Sequence, residues 1–104
     1  MTLTNGWTEI FLDNSNGNII DSNKVSNSAW GIALDNSNYN TISYNTSTGN
    51  TFSGIDLESN DLYNSLLYNT VTKNKYGISS GTWTSSSSNT ITGNIATNNQ
   101  YGYI

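Results

Sequence analysis

The sequence predicts an all-β chain wound as a parallel solenoid of about four coils of 22–25 residues, and three observations carry that expectation. Asparagine recurs in columns at one register, aliphatic residues recur two places after those asparagines, and a glycine column closes each repeat. A period of roughly 20–50 residues is the mark of stacked supersecondary units that cannot bury a core singly.

In chain order, a partial copy, NGWTEIFLDN, opens at Asn5 and supplies Ile10 and Leu12. The full copies are NIIDSNKVSNSAWGIAL from Asn18, NTISYNTSTGNTFSGIDL from Asn40, NSLLYNTVTKNKYGISS from Asn64 and NTITGNIATNNQYGYI from Asn89. In register, Asn18, Asn40, Asn64 and Asn89 form one column and Asn23, Asn45, Asn69 and Asn94 a second. Ser28, Asn50, Asn74 and Asn99 form a third, followed by Gly31, Gly54, Gly77 and Gly102. Two residues beyond the first column stand Ile20, Ile42, Leu66 and Ile91; two beyond the second stand Val25, Ser47, Val71 and Ala96. The glycines are followed by Ile32, Ile55, Ile78 and Tyr103, and two places later by Leu34, Leu57 and Ser80.

A spacing of two is the strand period, so each repeat reads as three short strands separated by Asn and Gly turns. Coils stacked at about 4.8 Å place like residues on like and build a thin continuous core. Asparagine at a corner is expected to take the left-handed conformation and to ladder its amide with those above and below. The glycines suit positive φ or close approach of the next coil. Absence of proline follows, because each strand donates to its neighbours. The insertion GTWTSSSS before Asn89 reads as a lengthened corner loop.

Composition alone suggests the opposite: 19 Asn, 16 Ser and 14 Thr in 104 residues resemble a disordered, low-complexity chain. The repeat overrides it, and residues 1–104 read as a single domain. No cysteine means no disulfide, and with no histidine either, zinc and copper lack their usual ligands, so no cofactor is expected. A net charge of −4 with three lysines and no arginine argues against nucleic acid. No run approaches the roughly 18 apolar residues of a membrane helix, and MTLTNGWTEIF has no signal-peptide pattern, so no membrane insertion is expected.

The pattern N-x-I-x-x-N-x-I, then Asn, then G-I-x-L resembles the right-handed parallel β-helix repeat proteins, and within them the NosD-type repeats, over Gly6 to Ile104. The resemblance implies a right-handed single-stranded parallel β-helix in an extracellular, cell-surface or periplasmic setting. It also implies a role among polysaccharide lyases, hydrolases, epimerases, adhesins or non-catalytic surface modules, and the name implies copper-protein maturation.

Candidate sites follow from the register. Asp13, Asp35 and Glu58 each follow an inward leucine and, stacked, offer oxygen ligands for calcium; a solvated acidic edge explains them equally. Asp35 with Asp56 has the composition of a glycosidase pair, but proximity among seven acids in a repeat arises readily by accident. Lys24, Lys73 and Lys75 are the basic residues, and they read as surface lysines. Tyr39 with Tyr63, and Tyr44 with Tyr68, precede ladder asparagines in adjacent coils and should stack. A second aromatic column runs Trp30, Phe52, Tyr76, Tyr101, with Phe52 one residue out of step, while Trp7 and Trp83 fall outside the columns. Such rows hold coils together by cross-strand contact, and if exposed they also suit the apolar faces of sugar rings. A threonine ice-binding face fails, because Thr46 and Thr70 share their column with Lys24 and Ile95.

Neither end carries a visible cap, so the chain is expected to be a segment of a longer solenoid or to associate end to end. The expected function is a non-catalytic structural or binding module of a secreted or cell-surface protein, presenting Asn, Ser, Thr and Tyr to glycans or to neighbouring proteins, with the stacked tyrosines as its carbohydrate-binding candidates. The alternative is a fragment of a polysaccharide-active enzyme whose catalytic residues lie elsewhere.

Overall fold

The computed structural model describes residues 1–81 and 86–104, and every element among them is a strand. A partial coil holds β1 (Thr2–Thr4) and β2 (Thr8–Asp13). Four coils follow: β3 (Ile19–Asp21), β4 (Lys24–Ser26) and β5 (Trp30–Asp35); β6 (Thr41–Ser43), β7 (Thr46–Thr48) and β8 (Ser53–Leu57); β9 (Ser65–Leu67), β10 (Thr70–Thr72) and β11 (Tyr76–Ser80); β12 (Thr90–Thr92), β13 (Ile95–Thr97) and β14 (Tyr101–Tyr103). Corresponding strands pair in parallel into three sheets, in the orders β1-β4-β7-β10-β13, β14-β11-β8-β5-β2 and β12-β9-β6-β3. The expected β-solenoid is present, in the expected register: Ile20↔Ile42↔Leu66↔Ile91, Val25↔Ser47↔Val71↔Ala96 and Ile10↔Ile32↔Ile55↔Ile78 are strand partners.

Side chains from all three sheets meet on the axis. Val25, Ile32, Leu34, Ile42, Ile55, Leu57, Leu66 and Val71 are wholly buried and form one cluster with Ile20 and Ile78. Ser47 interrupts a valine column, yet it is satisfied: its Oγ donates to the Gly54 carbonyl (2.8 Å) and accepts from Asn50 Nδ2 (3.0 Å).

The corners correct one expectation. The left-handed residue is not the ladder asparagine but the one before it: Gly17, Ser22 and Asn27 in the first full coil, Tyr39, Tyr44 and Gly49 in the second, Tyr63, Tyr68 and Lys73 in the third, Ser88, Gly93 and Asn98 in the fourth. The division of labour is physical: one residue turns the chain, and the next aims its amide inward along the stack. Asn69 is typical. Its Oδ1 accepts from the Asn45 backbone N–H (2.9 Å) and Nδ2 (3.1 Å), and its Nδ2 donates to the Ile42 carbonyl (2.8 Å) and Asn94 Oδ1 (3.0 Å). Buried corner groups are thereby paired without water.

A fourth ladder, not read from the sequence, follows the long strands. Ser15 N–H donates to Ser37 Oγ, Ser37 N–H to Asp61 Oδ1, and Asp61 N–H to Ser86 Oγ, at 2.8–3.1 Å. The glycine column serves close approach: a methyl at Gly54 would lie 2.8 Å from both Asn74 Nδ2 and the Gly77 carbonyl oxygen. Trp83 and the threonines at 82 and 84, in the half of the inserted loop that spans 82–85, lie outside the described residues.

Candidate functional site

The two tyrosine pairs flank the outer face of the β3-β6-β9-β12 sheet, one at the corner before β6 and β9, the other at the corner after them. Tyr39 and Tyr63 stack with ring centroids 5.2 Å apart and planes 9° apart; Tyr44 and Tyr68 stack at 5.4 Å and 19°. All four point to solvent, with between 52 and 66% of their surface exposed. All four also hold φ between 53 and 59°, a region that disfavours every side chain with a Cβ. Glycine fills the equivalent corner at Gly17 and Gly93. Space beside Gly17 is open, whereas Tyr68's ring lies against Gly93 and closes that end of its row.

Between the rows, Thr41 pairs with Ser65 and Ser43 with Leu67, while Ile42 and Leu66 turn inward. Asp21, in register with Ser43, accepts hydrogen bonds from Ser43 Oγ (2.6 Å) and Ser22 Oγ (2.8 Å), which hold its carboxyl below the usual carboxylate range. The surface is therefore two aromatic strips with hydroxyls between them and the ionised Asp21 carboxylate one coil away, against Ser43. Asp21 was not singled out in the sequence, because its column holds Ser43, Leu67 and Thr92 elsewhere.

The β14-β11-β8-β5-β2 sheet carries the second aromatic column on its outer side. Trp7 meets Trp30 edge-on (5.5 Å), Trp30 stacks on Phe52 (4.9 Å), and Tyr76 stacks on Tyr101 (5.3 Å). Ser53, not Phe52, is the strand partner of Trp30 and Tyr76, so the one-residue drift of Phe52 is real, and its ring still reaches Trp30. Beside this column, Phe11, Ala33, Asp56 and Ser79 are successive strand partners.

The acids lie along the same sheet. Asp13 and Asp35 are strand partners, and Glu58 follows Leu57, the partner of Leu34. Burial pushes the Glu58 carboxyl up to about 7, with the charges of Asp56, Asp35 and Asp61 adding to it. Burial also raises Asp61 to about 6, against the lowering effect of hydrogen bonds from the Ser37 and Ser59 amides. Among the described residues no three His, Cys, Asp or Glu side chains are placed to hold a metal ion, so Asp13, Asp35 and Glu58 do not converge as a calcium cage. Lys73 sits at a left-handed corner, and Lys75 Nζ lies 5.3 Å from the centre of the Tyr76 ring.

The family described as periplasmic copper-binding protein (NosD) matches residues 1–104. No curated protein and no solved structure matches the chain. Copper in proteins is held by imidazole, thiolate and thioether groups. This chain has no histidine and no cysteine, its single thioether, Met1, is 78% exposed, and among the described residues no three Asp or Glu side chains gather as a metal site. The residues present do not fit a copper site, so the coils are related to the family by architecture and repeat pattern. With the match covering every coil of the stack, the chain belongs to the NosD family of β-helix repeat proteins.

Proposed function

We propose that this chain is a non-catalytic, periplasmic β-solenoid module that binds carbohydrate through its two tyrosine strips. The observation that carries the reading is the conformation of Tyr39, Tyr44, Tyr63 and Tyr68. Each sits at positive φ, while the first and fourth coils place Gly17 and Ser88, and Ser22 and Gly93, at the equivalent corners. A side chain in that region costs about 1–2 kcal/mol relative to glycine, so a pair costs about 2–4 kcal/mol. Stacking returns only about 0.5–1.5 kcal/mol per pair. Stack stability alone therefore favours glycine or asparagine at these corners, and exposed aromatic surface is what the strain maintains. Sugar rings lay their C–H faces on such surfaces and direct hydroxyls to neighbours of the kind found here in Thr41, Ser65 and Asp21. The periplasmic setting is taken from the family's description. Strand edges on the outermost coils are proposed to pair with further coils or with a second copy.

The test is a glycan array followed by titration with Tyr44→Asn/Tyr68→Asn. Asparagine tolerates the left-handed region, so the fold is expected to persist while binding is lost. Absence of binding to every glycan removes the carbohydrate reading and leaves a scaffold. Degradation of a polyuronate overturns the non-catalytic one.

A further inference from the structure

On the outer side of the β14-β11-β8-β5-β2 sheet, away from the tyrosine strips, lies a cavity of about 650 Å³, within the roughly 300–1,000 Å³ of small-molecule sites. Its walls include Trp30, Phe52, Tyr76 and Ile104, and Ser53, Asp56 and Ser79 also line it. The aromatic column breaks at this level: rings stack in the pairs Trp30–Phe52 and Tyr76–Tyr101, and among the described residues no ring contact joins Phe52 to Tyr76.

The direction of the hydroxyl protons follows from the hydrogen bonds. Ser79 Oγ donates to Asp56 Oδ1 (2.6 Å). A hydroxyl has one proton, so in the 3.0 Å contact between Ser53 and Ser79 the donor is Ser53. The Ser79 proton therefore points to the wholly buried Asp56 and the Ser53 proton to Ser79, and the lone pairs of Ser53 are left as acceptors. Lone pairs, a carboxyl and ring faces are all electronegative. The chain's own ammonium, Lys75 Nζ, already lies by the Tyr76 ring of this wall. A neutral sugar needs hydroxyl donors and acceptors in number, and here both serine protons are committed.

We propose that this cavity is a binding site for an organic ammonium ion, held by cation–π contact with Trp30, Phe52 and Tyr76 over the electronegative Ser53–Ser79–Asp56 floor. A methylated ammonium matches best, since its apolar shell fits ring and Ile104 walls while its charge meets the floor. The site is independent of the tyrosine strips, and neither proposal depends on the other.

Calorimetric titration of the whole chain compares choline with its uncharged isostere 3,3-dimethyl-1-butanol, at roughly millimolar concentrations. The expected result is saturable choline binding, about tenfold or more tighter than that of the alcohol. Asp56→Asn, which keeps the shape of the floor, is expected to lower choline affinity about tenfold and leave the alcohol unchanged. Trp30→Leu, which keeps an apolar wall but removes the ring, supplies a second reading should Asp56→Asn unfold, with thermal denaturation monitored for both. Equal binding of choline and the alcohol overturns the proposal. So does an absence of choline binding, or wild-type choline affinity in a folded variant of either kind.

Discussion

Truncating Asn69 to alanine removes the amide at the centre of the best-formed ladder. Four hydrogen bonds go with it: two accepted from Asn45, one donated to Ile42 and one donated to Asn94. At about 1 kcal/mol net for each bond, the loss is about 4 kcal/mol. Leaving the buried Asn45 N–H without its partner pushes the cost upward. Asn18 provides the control, because it occupies the same kind of corner but is only half-buried, and its Nδ2 donates to Asn40 Oδ1 (3.1 Å) and weakly to the Asn16 carbonyl (3.4 Å). Water can replace those bonds, so Asn18→Ala is expected to cost about 1 kcal/mol. For a chain near 100 residues, each kcal/mol moves the melting temperature by about 4–8 °C. Asn69→Ala should therefore melt about 15–30 °C below wild type and Asn18→Ala within about 8 °C of it, by circular dichroism. Equal shifts for the two variants would refute the view that the inward ladders, more than the thin aliphatic core, hold the corners.

Gly54→Ala places a methyl against the Gly77 backbone and Asn74 and should cost about 2 kcal/mol in denaturant unfolding, whereas Gly17→Ala, facing open space at φ 70°, should cost about 1 kcal/mol. A reversal of that order would refute the close-approach role of the glycine column. Glu58 and Asp61 have carboxyls raised to about 7 and about 6, so the folded state binds more protons than the unfolded state between the ordinary carboxylate range and those values. Their contribution to stability is thus greatest below the ordinary carboxylate range and is lost as pH rises from there to about 6–7; Glu58→Gln should flatten melting temperature against pH between about 4.5 and 7. Copper titration should show no tight stoichiometric uptake, and a sharp one-to-one endpoint would contradict the ligand inventory.

The repeat made the fold legible. Asn columns, the inward aliphatic positions and the glycines Gly31, Gly54 and Gly77, which lie within strands and not at a corner, each recur at one register, because a parallel stack forces equivalent residues into equivalent surroundings. The exception is instructive: the Ser15, Ser37, Asp61, Ser86 ladder keeps the same spacing but changes residue type, so a column sought by identity does not reveal it. The tyrosine pairs were legible as stacked neighbours for the same reason, while Asp21 and Ser79 were not, and Asp56 was legible only as a carboxylate to set beside Asp35, not as a cavity residue. Their columns read Asp21, Ser43, Leu67 and Phe11, Ala33, Asp56, Ser79, with no shared chemistry to mark them.

The sequence by itself therefore determined what one-dimensional periodicity can encode: strand period, coil register, inward ladders and the absence of copper ligands. Only the tertiary structure decided which residue of each corner turns the chain, that the tyrosines face outward in a strained conformation, and that Trp30, Phe52 and Tyr76 share a cavity with Asp56. Those properties depend on the sign of a backbone angle and on distances between coils, and a letter pattern repeating every 22–25 residues specifies neither.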